Sequence, residues 1–190
     1  RPIKSPVDNW LSSVWGTGAE LFMSGDGGTL LRRFGGRLRA VPSGTARTLF
    51  AVGGTANEWF AVGAAGTAVR WNGAAFTPVE TGTRNSLFAV HGAGSDVFAV
   101  GAGGTVLQWN GAAFVPVGSG TTNWLYGMWG TGKELFVVGA HGTILHHDGH
   151  SWKPQPSGTQ QTLLDVWGNG RDDIFAVGSA GTILHYDGQN

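Results

Sequence analysis

Residues 87–124 read LFAVHGAGSDVFAVGAGGTVLQWNGAAFVPVGSGTTNW, a stretch of four short apolar runs separated by Gly, Asn, Asp or Ser. The runs are Leu87–Gly92, Asp96–Gly101, Thr105–Asn110 and Ala113–Val117. Runs of four to eight residues between turn-forming residues are typical of β-strands. Asn110 and Gly111, between the last two runs, form a strong hairpin signal, because a type I′ turn needs positive φ at both central positions. The segment therefore predicts four antiparallel strands.

The same unit occurs five times along the chain. Its central phenylalanine recurs after 38 residues three times and after 39 once, at Phe22, Phe60, Phe98, Phe136 and Phe175. A fixed period indicates a repeat architecture, and four-stranded sheets repeated radially are the blades of a β-propeller. We therefore predict an all-β, five-bladed β-propeller of four-stranded antiparallel blades, a single domain over residues 1–190. The expected blades span about 10–42, 48–80, 86–118, 124–156 and 162–190. A linear solenoid is the alternative architecture.

The two ends of the chain complement each other. The last unit reaches Asp187–Asn190 at the point where a fourth strand is expected to begin. Near the other end, Ser5 stands where Ser43 and Ser119 stand in their units. A linear array would instead need terminal units with polar outer faces. We therefore expect residues 1–6 to supply the outer strand of the last blade and to close the ring.

The composition argues against several classes of partner. The 190 residues include 12 basic and 12 acidic side chains, 34 glycines and no cysteine. A chain without net charge has no general electrostatic attraction for nucleic acid or for an anionic membrane. The absence of cysteine excludes disulfides and thiolate metal sites. No apolar run approaches the roughly 20 residues that a membrane-spanning helix needs, so we expect a soluble domain without membrane insertion.

The units resemble short propeller repeats of bacterial secreted and surface proteins. The resemblance is carried by Val14, Trp15 and Gly16 and by their counterparts at 128–130 and 166–168. The segment Gly181–Gly188 is similar to Asp-box and photosystem-assembly-factor repeats. In blade number and small size the chain is also similar to the tachylectin-type lectins. The resemblance implies a binding protein located outside the cell or at its surface.

The polar residues predict neither catalysis nor a resident metal or other cofactor. The central positions of the first strands are Ser13, Ala51, Ala89, Gly127 and Asp165, and one carboxylate cannot form the pair that glycoside hydrolysis needs. One acid also recurs in each unit, at Glu20, Glu58, Asp96, Glu134 and Asp173. We expect each to accept hydrogen bonds in the turn between the first two strands. His146 and His147 are strand neighbours on opposite faces, which disfavours a shared ion. Binding by His147 with Asp148 or His150 stays open.

The connections between successive units predict a ligand-binding face. One position in these connections is occupied by Asn9, Arg47, Asn85, Asn123 and Gln161. Trp10 and Trp124 follow two of these residues, and His141 lies in a neighbouring loop of the fourth unit. Amides that hydrogen-bond hydroxyl groups beside an aromatic platform suit a neutral sugar. The alternative is that these side chains satisfy backbone groups of the loops.

Together these features favour a non-enzymatic binding module. The leading hypothesis is carbohydrate recognition by the inter-blade loops, with up to five equivalent sites that would add avidity. The alternative is a structural or protein-interaction ring, either a fragment of a longer repeat protein or an engineered chain of duplicated repeats. We expect glycans or another protein as partners, and a monomer rather than an obligate oligomer.

Overall fold

A computed structural model describes residues 3–18 and 20–188 of the chain. Its strands form five antiparallel sheets, in each of which the strands that follow one another in sequence are paired. Four sheets have four strands, and the fifth has three within the described residues. The all-β architecture and the repeated sheets predicted from the sequence are therefore confirmed.

Each sheet is one blade, numbered in chain order. Blade 1 contains β1 (Leu11–Thr17), β2 (Glu20–Gly25), β3 (Leu30–Phe34) and β4 (Arg37–Ala40). Blade 2 contains β5 (Leu49–Gly54), β6 (Trp59–Gly63), β7 (Ala68–Trp71) and β8 (Phe76–Pro78). Blade 3 contains β9 (Leu87–Ala93), β10 (Asp96–Gly101), β11 (Val106–Trp109) and β12 (Phe114–Val117). Blade 4 contains β13 (Leu125–Thr131), β14 (Glu134–Gly139), β15 (Ile144–His147) and β16 (Trp152–Gln155). Blade 5 contains β17 (Leu163–Gly170), β18 (Asp173–Gly178) and β19 (Ile183–Tyr186).

A short 3₁₀ turn joins the second and third strands of every blade. The turns are Asp26–Gly28, Ala64–Gly66, Ala102–Gly104, Ala140–Gly142 and Ser179–Gly181.

The hydrophobic core lies between neighbouring blades. Strand alternation directs Phe60 and Val62 of blade 2 towards blade 3, where they pack with Leu87 and Phe114. Equivalent clusters lie between the other consecutive blades. Each buried side chain of this size contributes about 1.5–3 kcal/mol. The first strands also contact one another in chain order, from β1 to β17, so they form the inner side of the arrangement.

The Asn-Gly and Asp-Gly hairpins between the third and fourth strands of blades 2, 3 and 4 differ from the predicted type I′ turns. In blade 2, the Asn72 side-chain oxygen Oδ1 accepts the backbone N–H groups of Ala74 and Ala75 at 3.0 and 2.9 Å. Gly73 has φ of 97°, whereas Asn72 does not have positive φ. The turn is therefore an Asx turn in which glycine alone takes the left-handed region.

Two of the recurring acids, Glu20 and Glu58, pair across their sheets rather than with the first turn. Glu58 accepts two hydrogen bonds from the Arg70 guanidinium, at 2.6 and 2.8 Å, and Glu20 accepts one from Arg32 Nη2. The expectation of a turn acceptor was wrong for these two residues. Asp173 contacts both neighbouring strands, because Asn169 near the end of β17 donates to it at 2.7 Å and His185 of β19 lies 3.0 Å away.

The predicted closing strand is not found among the described residues. Residues 3–10 form no strand, and β19 has no fourth strand beside it there. Four residues of that prediction lie outside the described ranges: Arg1, Pro2, Gln189 and Asn190. The Val7 N–H does donate to Ser5 Oγ at 3.2 Å, as the Thr121 N–H donates to Ser119 Oγ at 3.3 Å. The end-of-blade turn is thus present, whereas ring closure is not confirmed.

Candidate protein-interaction face

One side of the molecule collects the inter-blade connections and the 3₁₀ turns. In blade 3 the Ala102 N–H donates to the Ser86 carbonyl at 2.9 Å, and in blade 4 the Ala140 N–H donates to the Trp124 carbonyl at 2.8 Å. The corresponding bonds occur in blades 1, 2 and 5. These bonds hold each connection against the turn of the blade that it enters. We call this side the turn face.

The residues of the predicted polar position lie on the turn face, where they contact the turns. Asn85 and Asn123 donate to Thr105 Oγ1 and Thr143 Oγ1 at 2.9 and 2.8 Å. Three similar contacts are Asn9 Nδ2 to the Asp26 carbonyl at 3.4 Å, Arg47 Nη1 to the Ala65 carbonyl at 3.0 Å, and Ser179 Oγ to Gln161 Oε1 at 3.1 Å. The side chains therefore brace the turns, while their role in ligand binding stays a prediction.

His141 shares the turn face and has an unusual backbone conformation. It is the central residue of its 3₁₀ turn, with φ of 55°, and its side chain is exposed. Ala65 and Ala180 occupy the equivalent position with φ of 52° and 54°. A side chain in this left-handed region costs about 1–2 kcal/mol. All five blades therefore keep the same 3₁₀ turn, including the three in which its central residue is not glycine.

The turn face also carries a row of aromatic side chains that the sequence did not predict. The ring centroids of Phe50 and Phe88 lie 5.6 Å apart, and those of Phe88 and Tyr126 lie 5.5 Å apart. Trp124 is 5.7 Å from Phe88 and 6.3 Å from Tyr126. We call these four residues the aromatic row. It crosses blades 2, 3 and 4 at the ends of their first strands.

A β-bulge places three of these residues, Phe50, Phe88 and Tyr126, outside the regular strand ladder. Leu49 pairs with Gly63 and Ala51 pairs with Val62, so Phe50 is an extra residue without a cross-strand partner. Phe88 and Tyr126 occupy the same position in β9 and β13. Bulges re-aim side chains and often lie beside functional sites.

The aromatic row is partly exposed. Trp124 is 50% exposed, and the other three rings are half-buried. The row does not extend into blades 1 and 5, because the bulge position is occupied by Ser12 in blade 1 and by Leu164 in blade 5. When the five units are aligned, the sequence signal for the row is the single position occupied by Ser12, Phe50, Phe88, Tyr126 and Leu164. This signal was missed in the sequence because the first strands were treated as regular, and in a regular strand this position does not differ from its neighbours.

The two adjacent histidines on β15 serve the packing of different blades. His147 lies 4.8 Å from Trp152 and 5.2 Å from Phe98, and its Nδ1 accepts the Gly149 N–H at 3.2 Å. His146 stacks on Phe136 at 4.3 Å on the other side. Within residues 3–18 and 20–188, no three His, Asp or Glu side chains group as metal ligands would. In the same ranges no helix is long and apolar enough to cross a membrane.

Comparison with known proteins identifies the fold. No protein-family model matches the chain, and no curated protein matches it. A solved structure described as YCF48 bound to D1 peptide is 16% identical, with a TM-score of 0.70 over 97% of this chain and 67% of that chain. YCF48 from Cyanidioschyzon merolae is 15% identical, with a TM-score of 0.73 over 100% of this chain and 73% of that chain. The WD40 β-propeller domain of Doa1 is 15% identical, with a TM-score of 0.78 over 95% and 66% of the two chains.

At these identities the similarity concerns the fold alone. The chain has the blade architecture of a β-propeller, and it spans about two-thirds to three-quarters of the length of the structures it matches. The resemblance to Asp-box and tachylectin-type repeats is not confirmed by these comparisons.

Proposed function

We propose that the chain is a non-enzymatic protein-recognition module that binds an extended peptide segment across the aromatic row. The observation that carries the proposal is the row itself, three bulge residues and Trp124 in contact over three consecutive blades. Half-exposed aromatic side chains at the centre of a surface are typical anchors of protein interfaces. The bulge leaves Phe50, Phe88 and Tyr126 without a cross-strand partner, so these rings are available to a ligand.

The surroundings of the row suit a peptide better than a sugar. The side-chain N–H groups of Asn85 and Asn123 already donate hydrogen bonds to the turns. Fewer donors are therefore left for sugar hydroxyls. A surface cleft beside blade 2 is lined by Arg47, Arg84 and Glu80. Arg47 Nη1 already donates to the Ala65 carbonyl at 3.0 Å, so Arg84 is the guanidinium offered to carboxylates or backbone carbonyls. One of the proteins of the same fold is described as bound to a peptide. The protein-interaction alternative therefore has more support than carbohydrate binding.

A peptide-display selection tests the proposal. Peptides selected on the intact chain would be measured against Phe88→Ser and Tyr126→Ser, which introduce the residue found at the bulge of blade 1. Loss of an aromatic anchor is expected to weaken binding about 10- to 30-fold. The matched control is Leu164→Ser, the same bulge position outside the row, for which affinity should stay unchanged. Equal binding by all variants would remove the basis of the proposal, and a glycan array run in parallel measures the carbohydrate alternative.

A further inference from the structure

A recurring aromatic contact ties the fourth strand of one blade to the preceding blade. Phe76 lies 5.3 Å from Phe22, Phe114 lies 5.0 Å from Phe60, and Trp152 lies 5.6 Å from Phe98. Each of these aromatic residues begins its strand, and a proline follows two positions later, at Pro78, Pro116 and Pro154. The fourth strand is thus an aromatic-x-Pro segment anchored on a neighbouring phenylalanine.

The same anchor position is open between blades 4 and 5. Phe136 is the equivalent of Phe22, Phe60 and Phe98, but no fourth strand of blade 5 reaches it within the described residues. A groove of about 340 Å³ lies there instead, lined by Phe136, Ile144, His146, Leu184 and Tyr186, among others. The groove runs along β19, the third strand of blade 5.

The outer edge of β19 is also without a strand in the described part of the chain. In blades 1 and 2 the corresponding edge is paired, since Val41 N–H donates to the Leu30 carbonyl at 2.9 Å and Val79 N–H donates to the Ala68 carbonyl at 3.0 Å. An open strand edge beside an apolar groove is the combination that accepts an added strand.

The N-terminal segment does not occupy this groove in the described residues. Ile3 stands two residues before Ser5, as Val79 stands two before Thr81, and Val79 packs against the core of its blade pair. Ile3 is instead 68% exposed, and residues 3–10 form no strand.

The outward face of blade 5 indicates what would fill the groove. Phe175 is 39% exposed and Val177 is 45% exposed, whereas Phe60 and Val62 at the same positions are fully buried by the next blade. Trp167 and Ile183 extend this apolar face, at 58% and 68% exposure. A lone strand would cover the edge of β19 and leave this face in water. A further repeat unit would cover both.

We propose that the groove beside β19 is a strand-acceptor site for a further repeat unit of the same type. The unit enters with an aromatic-x-Pro strand antiparallel to β19, packs its aromatic ring on Phe136, and continues into a blade that covers Phe175 and Val177. The proposal is independent of the aromatic row, which lies on the turn face.

A peptide titration tests the strand contact. The probe is a synthetic peptide of residues 111–119, GAAFVPVGS, added to the intact, isotope-labelled chain. Saturable chemical-shift changes are expected at the backbone amides of β19 and around Phe136. A peptide with Phe114→Ser should bind at least about tenfold more weakly, because it lacks the anchor. Equal binding of both peptides, or no change at β19 at millimolar peptide, would overturn the proposal.

A chain extension tests the source of the strand. A second copy of residues 114–147 follows Asn190, which keeps the spacing from the Asp187 turn to the aromatic residue. The extended chain should unfold about 5 °C higher and bind less of an apolar dye, because the outward face is covered. The control carries Phe114→Ser in the added copy. An unchanged melting temperature and dye signal would contradict the proposal.

Two other outcomes would assign the groove to a different occupant and so overturn the proposal. Peptide binding that appears only after deletion of residues 1–6 would show that the chain's own N-terminus fills the groove. A stable dimer that excludes the peptide would show that a second copy fills it.

Discussion

A buried histidine links two blades at the scale of single residues. His91 lies on β9, and its Nε2 donates to the Gly130 carbonyl of β13 at 3.2 Å. Burial lowers the pKa of His91 and outweighs the opposing effect of this hydrogen bond. The ring is therefore neutral at pH 7, and protonating it would place a charge at a buried site. Burial likewise lowers the pKa of His147.

This arrangement predicts acid-sensitive stability. The unfolded histidine takes up a proton below its ordinary pKa of about 6.5, while the folded one does not. The unfolded state therefore binds more protons, and the free energy of unfolding should fall as pH decreases from 6.5, by up to about 1.4 kcal/mol per pH unit for this group. Urea unfolding at several pH values measures the slope. His91→Gln retains a donor but does not titrate, so the slope should be smaller, and an unchanged slope would refute the assignment.

The positions of the candidate site residues could be predicted from the sequence, whereas their contacts could not. The shared face of Asn9, Arg47, Asn85, Asn123 and Gln161 follows from their equal positions in the repeat, and the structure has them on one side. Their contacts with the 3₁₀ turns do not follow, because the sequence does not show that each connection folds against the turn of the next blade. The aromatic row was missed for a related reason, since one unpaired residue in a strand has no periodic signature.

At the scale of the strand and its turn, one glycine in each blade is required by close approach. A Cβ atom on Gly101 would lie 2.0 Å from the Ser86 carbonyl oxygen. The glycines at the same position, Gly25, Gly63, Gly139 and Gly178, meet the connection equally closely, at 2.0–2.2 Å. This contact explains why glycine ends every second strand.

Gly101→Ala should therefore be strongly destabilising. The methyl group forces the connection away from the 3₁₀ turn, at an expected cost of about 3 kcal/mol in the free energy of unfolding. Gly118→Ala is the matched control, because no atom lies within 4 Å of its added Cβ, and its cost should be below about 0.5 kcal/mol. Similar stabilities of the two variants in urea would argue against the close approach.

Strand positions were predictable, while pairings within the blade were less so. The alternation around Phe98 and the turn residues Asn110 and Gly111 indicate where strands begin and end. The partnership of Glu58 with Arg70 depends on the register of β6 against β7, which sets Phe60 opposite Arg70. That register is a property of the folded sheet, so the recurring acid was noticed in the sequence without its partner.

At the scale of the whole molecule, the two ends are the point at which sequence and structure differ. The sequence predicted a closing strand from residues 1–6, whereas the described residues 3–10 form none. The repeat itself was readable because one interface recurs between all consecutive blades. Closure of the ring depends on how the blades curve around its centre, and this curvature cannot be deduced from the sequence of a single repeat.

Deletion of residues 1–6 distinguishes the two arrangements. The structure leads us to expect a change in the free energy of unfolding below about 0.5 kcal/mol, because Ile3 is mostly exposed. A closing strand would instead bury Ile3 and the edge of β19, and its removal would cost about 1.5–3 kcal/mol for that side chain alone. Thermal unfolding with matched circular dichroism spectra decides between them.

The bulge has a consequence for protein engineering. Ser12, Phe50, Phe88, Tyr126 and Leu164 have no partner in the strand ladder, so a hydroxyl, an aromatic ring and an aliphatic chain occupy this position in different blades with the same strand pairing. The same five codons are the natural choice for a randomised library. Such a library would vary what the surface recognises while leaving the scaffold beneath it intact.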